Sequence, residues 1–103
     1  MHHDSMVFGN LMKINGNHIN VFDSKNFRKK NKEEILVFVP GEGGCIKNWK
    51  YQFSYFFEKG YRVISFDPIG QGNSQFVTKY SFKDHYRDFL MIINKLGIKK
   101  IWY

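Results

Sequence analysis

The part of the sequence best suited to chemistry is a glycine-rich loop that follows an apolar run. Residues 35–49 read ILVFVPGEGGCIKNW, so five apolar residues lead directly into a segment with three glycines. Glycines let backbone N–H groups approach a negatively charged atom closely. That atom could be a phosphate oxygen or the oxyanion of a reaction intermediate, which gives three alternatives.

A phosphate loop of the GxxxxGK[ST] type is excluded by its spacing. That motif requires a lysine directly after its second glycine. Lys47 instead follows Ile46. The loop therefore cannot hold a nucleoside triphosphate in the manner of that motif.

A dinucleotide-binding loop fits part of the pattern. Gly41 and Gly43 give GxG after a predicted strand, and Asp67 ends the next predicted strand, where an acid could bind a ribose. Ile46, however, stands where the third glycine belongs, and Glu42 adds a negative charge. Two like charges about 4 Å apart repel by roughly 4 kcal/mol at an effective dielectric constant of about 20. The third alternative is an oxyanion hole, formed by a backbone N–H after the strand.

The elements that would position this loop begin with a hairpin over residues 6–23. Two β-prone runs, residues 6–14 and 18–22, flank the turn sequence Asn15-Gly16-Asn17. Residues 24–34 are polar without apolar periodicity and are predicted to form a loop. Residues 35–39 are apolar without alternation, which is typical of a central strand covered on both faces of a parallel sheet.

Two helices and two further strands are predicted after the glycine loop. The first helix is capped by Asn48, ends at Gly60 and buries one apolar face, made of Trp49, Phe53, Phe56 and Phe57. Residues 61–67 form a strand, and a loop with Pro68, Gly70 and Gly72 follows it. The second helix starts with a capping box of Ser81 and Asp84, ends at Gly97 and has apolar residues at helical spacing, namely Phe82, Tyr86, Phe89, Leu90 and Ile93.

Residues 98–103 would then begin a third parallel strand. The sequence therefore predicts one α/β domain over residues 1–103, in which the hairpin precedes a parallel βαβαβ unit over residues 35–103. The glycine loop would lie at the carboxyl end of a strand, where open α/β sheets bind ligands.

Composition narrows the classes of function. The net charge is +7, but the thirteen lysines are spread along the chain and the one dense basic group, residues 28–32, is followed by two glutamates, so nucleic-acid binding is not predicted. Cys45 is the only cysteine, and no histidine has a partner at metal-ligand spacing, so neither a metal nor a cofactor is expected. No apolar run reaches the roughly 18 residues of a membrane span, and no signal peptide is evident, so a cytoplasmic location is predicted.

Two motifs resemble signatures of the α/β hydrolase fold family. The segment VPGEGGCIKNW resembles the loop after that family's third strand, usually His-Gly-x-Gly-Gly with a later Trp, and Gly41, Gly43, Gly44 and Trp49 match in register. The segment FDPIGQGNS resembles the family's Asp-x-x-Gly-x-Gly-x-Ser signature, which matches at Asp67, Gly70, Gly72 and Ser74. Both motifs occur at the family's separation and in its element order, and the resemblance covers residues 6–103.

The resemblance implies roles for the residues of the loop. Gly41 would let the backbone turn tightly, and Glu42 would offer its backbone N–H to an oxyanion, while Asp67, Gly70, Gly72 and Ser74 would shape a turn. Two positions depart from the family pattern. Pro40 stands where the family usually has His, and Glu42 carries a carboxylate where small or apolar residues are common.

The same resemblance implies that the attacking group is absent from these residues. The family's nucleophile lies on a GxSxG turn directly after the fifth strand, and its acid and histidine follow later. Residues 98–103 correspond to that strand. The complete protein is therefore expected to hydrolyse a small-molecule or lipid ester, a thioester or an amide. The alternatives are a noncatalytic interaction module or a dinucleotide-binding domain, and the open sheet edge is expected to favour self-association.

We predict that the purified 103-residue chain does not hydrolyse short p-nitrophenyl esters, because a nucleophile and its base are lacking. Release of p-nitrophenol should match that of a Pro40→Ala, Gly41→Val double variant prepared in parallel. Turnover clearly above that control would show that another side chain of this segment attacks the ester.

Overall fold

The structure is a computed structural model that describes residues 9–41 and 43–99. Its regular elements in chain order are β1 (Asn10–Ile14), β2 (Asn17–Asp23), β3 (Ile35–Phe38), α1 (Lys50–Glu58), β4 (Arg62–Phe66) and α2 (Phe82–Lys95). Short 3-10 turns lie at Ser24–Asn26 and Ile46–Trp49.

The predicted hairpin is confirmed within the described residues. β1 and β2 pair antiparallel, from Asn10 opposite Val21 to Ile14 opposite Asn17. Asn15 and Gly16 connect them with φ values of 49° and 88°. Two successive positive φ values give a turn whose twist matches that of the strands, and this requirement explains the Asn-Gly pair. Residues 6–8 of the predicted first strand lie outside the described residues.

The sheet is mixed, with the strand order β1-β2-β4-β3. β2 pairs antiparallel with β4, and β3 pairs parallel with β4 in a β3-α1-β4 unit. β4 lies between β2 and β3, so β3 has one neighbour among the described strands, and these strands do not test the prediction that residues 35–39 form a central strand. All four β3 residues are accordingly half-buried. Ile98 and Lys99 have no regular structure, and the rest of the strand predicted at 98–103 lies outside the described residues.

Two apolar clusters cover opposite faces of the sheet, each with one helix. Alternation along the strands separates them, since Val21 and Phe22 of β2 point to different clusters. The α1 cluster is Phe22, Ile46, Phe53, Phe57 and Val63. The α2 cluster is Ile14, Ile19, Val21, Phe66, Ile69, Phe89 and Ile92.

Helix α1 buries the predicted face but begins differently from the prediction. Phe53 and Phe57 are buried, and Trp49 and Phe56 are half-buried. Asn48 is not the N-cap of α1. It lies inside the preceding 3-10 turn, where its Oδ1 accepts a hydrogen bond from the Cys45 N–H at 2.8 Å, so it caps that turn instead.

Helix α2 has the predicted capping box. Ser81 N–H donates to Asp84 Oδ2 at 2.8 Å, and Asp84 N–H donates to Ser81 Oγ at 3.4 Å. At the other end Gly97 has φ 71°, as a helix-ending glycine often does. The sequence thus located both ends of this helix. Within the described residues, neither helix is long and apolar enough to cross a membrane.

The predicted apolar face of α2 is wrong for three of its five residues. Phe82, Tyr86 and Leu90 are 84%, 51% and 44% exposed, whereas Phe89 and Ile92 are buried against the sheet. Two stripes of α2 are apolar at helical spacing, and periodicity alone does not distinguish them. The contact with the hairpin strands selects the stripe that contains Phe89 and Ile92.

We expect Phe89→Ala to lower the free energy of unfolding by about 3–5 kcal/mol, because it opens a cavity between α2 and the sheet. Phe82→Ala, the matched change on the exposed stripe, should stay within about 0.5 kcal/mol. Urea denaturation followed by far-UV circular dichroism measures both. Similar losses for the two variants would contradict the orientation of α2.

Candidate active site

The glycine loop lies at the carboxyl end of β3, as predicted, and its two ends are fixed. Pro40 is buried, and Gly44 N–H donates to the Gly41 carbonyl oxygen at 2.9 Å, which closes a tight turn. Gly43 has φ 76°, in the left-handed region that favours glycine. Glu42, the predicted oxyanion donor, lies outside the described residues.

The carboxylate of Asp67 connects this loop to two other segments. Its Oδ1 accepts a hydrogen bond from Ile46 N–H at 2.7 Å. Its Oδ2 accepts from Asn20 Nδ2 at 2.9 Å and from Asn73 N–H at 2.8 Å. Asp67 is only 3% exposed. One buried charge therefore holds the end of the glycine loop, strand β2 and the turn after β4, and we call this group the Asp67 clamp.

Backbone and hydroxyl contacts reinforce the Asp67 clamp. Asp67 N–H donates to the Asn20 carbonyl oxygen at 2.9 Å. Ser74 Oγ donates to the Asp67 carbonyl oxygen and accepts from Asn20 N–H at 2.8 Å. The Ser74 hydroxyl thus uses both its donor and an acceptor position within the turn, which leaves it in a structural role rather than a nucleophilic one.

Close approach explains why two glycines occur in the turn after β4. A Cβ on Gly72 would lie 2.5 Å from the Asp67 carboxyl group, and a Cβ on Gly70 would lie 2.8 Å from the ring of Tyr80. Both glycines also have positive φ, 49° and 81°. The side chain of any other residue at position 72 would clash with the Asp67 carboxylate.

Aromatic packing supports the other side of the glycine loop. The ring of Trp49 contacts that of Phe38 at the end of β3, with centroids 5.3 Å apart. Phe38 also packs edge-on against Phe53 of α1, at 5.0 Å. The strand that leads into the loop and the helix that leaves it are therefore held together by one aromatic group.

The remaining candidate residues lie apart from the loop. Ser81 caps α2, and His85 of the same helix stacks on the ring of Tyr80, with centroids 5.0 Å apart. His18 exchanges hydrogen bonds with Gln75 through its backbone. Over residues 9–41 and 43–99, no group of three or more His, Cys, Asp or Glu side chains could hold a metal ion.

The Asp67 clamp also bears on the dinucleotide alternative. A ribose-binding acid needs a carboxylate that faces the ligand. Both oxygens of Asp67 already accept hydrogen bonds from protein donors, and Ile46, at the position of the missing glycine, is fully buried. This geometry argues against a dinucleotide site at the loop.

Sequence analysis assigned no role to Asn20, which the structure places at the centre of the clamp. Asn20 contributes its side-chain amide, its N–H and its carbonyl oxygen, and it is 3% exposed. Asparagine is depleted in strands, so its presence between β-prone residues of β2 was a usable signal. Asn73, which contributes a backbone N–H, gave no such signal because any residue but proline supplies that donor.

A family model described as the alpha/beta hydrolase fold matches residues 34–103. That range is more than half of the chain and includes both the glycine loop and the Asp67 motif. The chain belongs to the α/β hydrolase fold family.

Among curated relatives, Protein ABHD8 from human, mouse and cattle is 32% identical over 69 residues. The match covers 64% of this chain and 16% of the ABHD8 sequence. The chain therefore spans about a sixth of the length of the curated relatives it matches.

Solved structures agree on the fold. Epoxide hydrolase VrEH1 from Vigna radiata superposes with a TM-score of 0.77 at 19% identity, over 95% of this chain and 31% of that protein. The meta-cleavage product hydrolase CumD from Pseudomonas fluorescens IP01 gives a TM-score of 0.70 at 21% identity, over 91% of this chain and 34% of CumD. The confirmed fold class is thus an incomplete α/β hydrolase fold with a four-stranded mixed sheet.

We expect Asp67→Asn to lower the free energy of unfolding by about 2–4 kcal/mol. An asparagine has one acceptor oxygen and one NH₂ group, so at least one of the three buried donors around residue 67 must lose its acceptor. Amide hydrogen exchange of Ile46 and Asn73 should accelerate in the variant.

The double variant Asn20→Asp, Asp67→Asn serves as the control. It reverses the donor and acceptor between residues 20 and 67, and should recover part of the lost stability. A fully stable Asp67→Asn single variant, or no recovery in the double variant, would contradict the clamp.

Proposed function

We propose that the complete protein to which this chain belongs is a serine hydrolase, and that residues 40–46 form its oxyanion loop. The observation that carries the proposal is the Asp67 clamp, which fixes Ile46 N–H and so the end of the glycine loop at the carboxyl edge of the sheet. A rigid loop is what an oxyanion hole requires, because preorganised donors need no reorganisation during the reaction.

In this proposal Glu42 N–H points at the oxyanion and Gly41 allows the backbone to reach it. The nucleophile comes from a GxSxG turn after the next strand, and the residue after that nucleophile supplies the second N–H. The Glu42 carboxylate must then point away from the oxyanion, since a like charge at about 4 Å opposes it by roughly 4 kcal/mol at an effective dielectric constant of about 20. Pro40 supplies no imidazole, so the oxyanion depends on backbone donors.

The substrate class follows from the reaction rather than from the described residues. A serine nucleophile with an oxyanion hole suits an ester, a thioester, an amide or a lipid ester, with no cofactor. The structural neighbours are named as epoxide and meta-cleavage product hydrolases, so the shared fold supports different substrates. We place the protein in the cytoplasm, and we propose that the half-buried β3 edge lets the isolated chain self-associate.

A noncatalytic interaction module is the second candidate, and Pro40 favours it because the usual histidine is missing from the loop. The reading frame that encodes the complete protein separates the two candidates. A GxSxG turn after the strand predicted at 98–103 supports the hydrolase, and a frame without a nucleophile there supports the module.

In the complete protein we expect Glu42→Pro to lower kcat for a p-nitrophenyl ester by about 10²–10³-fold, because it removes the oxyanion N–H. KM should change little. Lys30→Pro, an exposed proline change in the loop between β2 and β3, is the matched control and should retain activity.

Labelling with a fluorophosphonate probe, which reacts with activated serines, accompanies the kinetics. An unlabelled, inactive complete protein would contradict the hydrolase itself. A labelled protein in which Glu42→Pro retains full activity would contradict only the assignment of the oxyanion donor.

A further inference from the structure

A second possible binding site lies away from the glycine loop, between the hairpin turn and helix α2. A cavity of about 270 Å³ opens there. Its walls carry charges of both signs, from Lys79, Asp84, Arg87 and Asp88, beside the amide of Asn15 and the ring of Tyr80. The cavity is small for a ligand site, which limits its occupant to a molecule of a few heavy atoms.

The carboxylate of Asp88 forms one wall of the cavity. Asp88 is 4% exposed. Its Oδ1 accepts a hydrogen bond from Asn15 Nδ2 at 3.0 Å, while its Oδ2 has no hydrogen-bond or ion-pair partner within residues 9–41 and 43–99. Oδ2 is not a buried unsatisfied atom but is open to water, which a donor in the cavity can replace.

The surroundings of Asp88 disfavour its ionised form. Burial raises the pKa of Asp88 above the usual value for an aspartate, and the nearby charge of Asp84 acts in the same direction. The hydrogen bond from Asn15 and the charge of His85 lower the pKa, but not enough to cancel the effect of burial. A cation against Oδ2 would favour the ionised carboxylate.

The cations of the cavity wall, Lys79 and Arg87, are exposed and available to a ligand. Lys79 and Arg87 make no ion pair with any carboxylate among the described residues. Asp84 is already used, since its Oδ2 accepts the Ser81 N–H in the capping box. The cavity thus presents a free anionic oxygen at Asp88 and free cationic groups at Arg87 and Lys79.

The walls are held in place without a ligand. The ring of Tyr80 stacks on His85, and the Tyr80 hydroxyl accepts a hydrogen bond from Gln71 Nε2 at 2.6 Å. On the opposite wall, the Asn15–Asp88 hydrogen bond ties the hairpin turn to α2. A preformed site of this kind loses little entropy when it binds a ligand.

We propose that this cavity binds a small zwitterion, whose ammonium group contacts Asp88 Oδ2 and whose carboxylate contacts Arg87 and Lys79. The pairing places an opposite charge against the Asp88 oxygen and against both exposed cations at once, which a simple cation or anion cannot do. The site is separate from the proposed oxyanion loop and does not depend on hydrolase activity.

The test measures the binding of γ-aminobutyrate, butylamine and butyrate to the 103-residue chain by isothermal titration calorimetry. γ-Aminobutyrate carries both charged groups, and each of the other probes carries one. We expect γ-aminobutyrate to bind at least tenfold more tightly than either. If butylamine or butyrate binds as tightly as γ-aminobutyrate, the proposal of a zwitterion site is overturned. It is also overturned if γ-aminobutyrate gives no detectable heat at millimolar concentrations.

Two variants assign the contacts. Asp88→Asn keeps an acceptor for Asn15 but replaces the free oxygen by an NH₂ group, so it should weaken γ-aminobutyrate binding at least tenfold. Arg87→Gln should weaken γ-aminobutyrate but leave butylamine unchanged. Lys83→Gln, a charge change on the same helix outside the cavity wall, is the control and should bind like the original chain.

The outcome stays decisive even if Asp88→Asn does not fold, because Arg87→Gln and the three probes each test the proposal independently. Unchanged γ-aminobutyrate binding in a folded Asp88→Asn or Arg87→Gln variant would overturn it. At a pH where part of the Asp88 population is protonated, binding should also release protons, because the ammonium group lowers the raised pKa of Asp88. Heats measured in two buffers of different ionisation enthalpy report that release, and Asp88→Asn should abolish it.

Discussion

The carboxylate of Asp67 is the contact on which the rest of the structure depends, because it satisfies three donors that belong to separate segments of the chain. Its two oxygens accept hydrogen bonds from Ile46 N–H, the Asn20 side-chain amide and Asn73 N–H. A buried charge is tolerated only when several hydrogen bonds replace its hydration. The charge therefore selects the one arrangement in which the glycine loop, strand β2 and the turn after β4 meet.

A second polar anchor acts at the opposite end of the same pair of strands. Asp23, at the end of β2, accepts two hydrogen bonds from the Arg62 guanidinium of β4, at 2.9 and 2.6 Å. The adjacent Ser24 hydroxyl accepts the Val63 N–H at 2.8 Å. Strands β2 and β4 are thus joined by hydrogen bonds to a carboxylate at both ends of their paired region and by backbone pairing between them. Strand β3, which leads into the glycine loop, therefore pairs with a strand that is held at both ends.

The two faces of the sheet differ in composition. The α1 face is dominated by aromatic rings, which hold β3 and the start of the glycine loop. The α2 face is mainly aliphatic near the sheet, apart from the stacked rings of Phe66 and Phe89. It carries charged groups where α2 meets the hairpin turn, and these form the proposed zwitterion site. Both proposed functions use polar groups at the end of apolar contacts, where a charge is both held in place and open to a ligand.

Much of the fold was predictable because it depends on local rules. The Asn-Gly turn, the Ser81 capping box and the glycines after both helices located the hairpin and the helix ends. The exposed side of α2 was not predictable, because Phe82, Tyr86 and Leu90 have the same spacing as a buried stripe. The position of β4 between β2 and β3 was not predictable either, since an apolar run gives no information about its neighbours.

The candidate site was also predictable only in part. The glycine loop and the Asp67 motif were recognisable from residue types and spacing, but the sequence did not indicate that Asn20, 47 positions away, completes the clamp. By itself the sequence determined which segments turn, which are apolar and which family they resemble, because those properties belong to neighbours along the chain. The tertiary structure alone decided which buried polar groups satisfy one another, because a hydrogen bond depends on distances in space that residue order does not set.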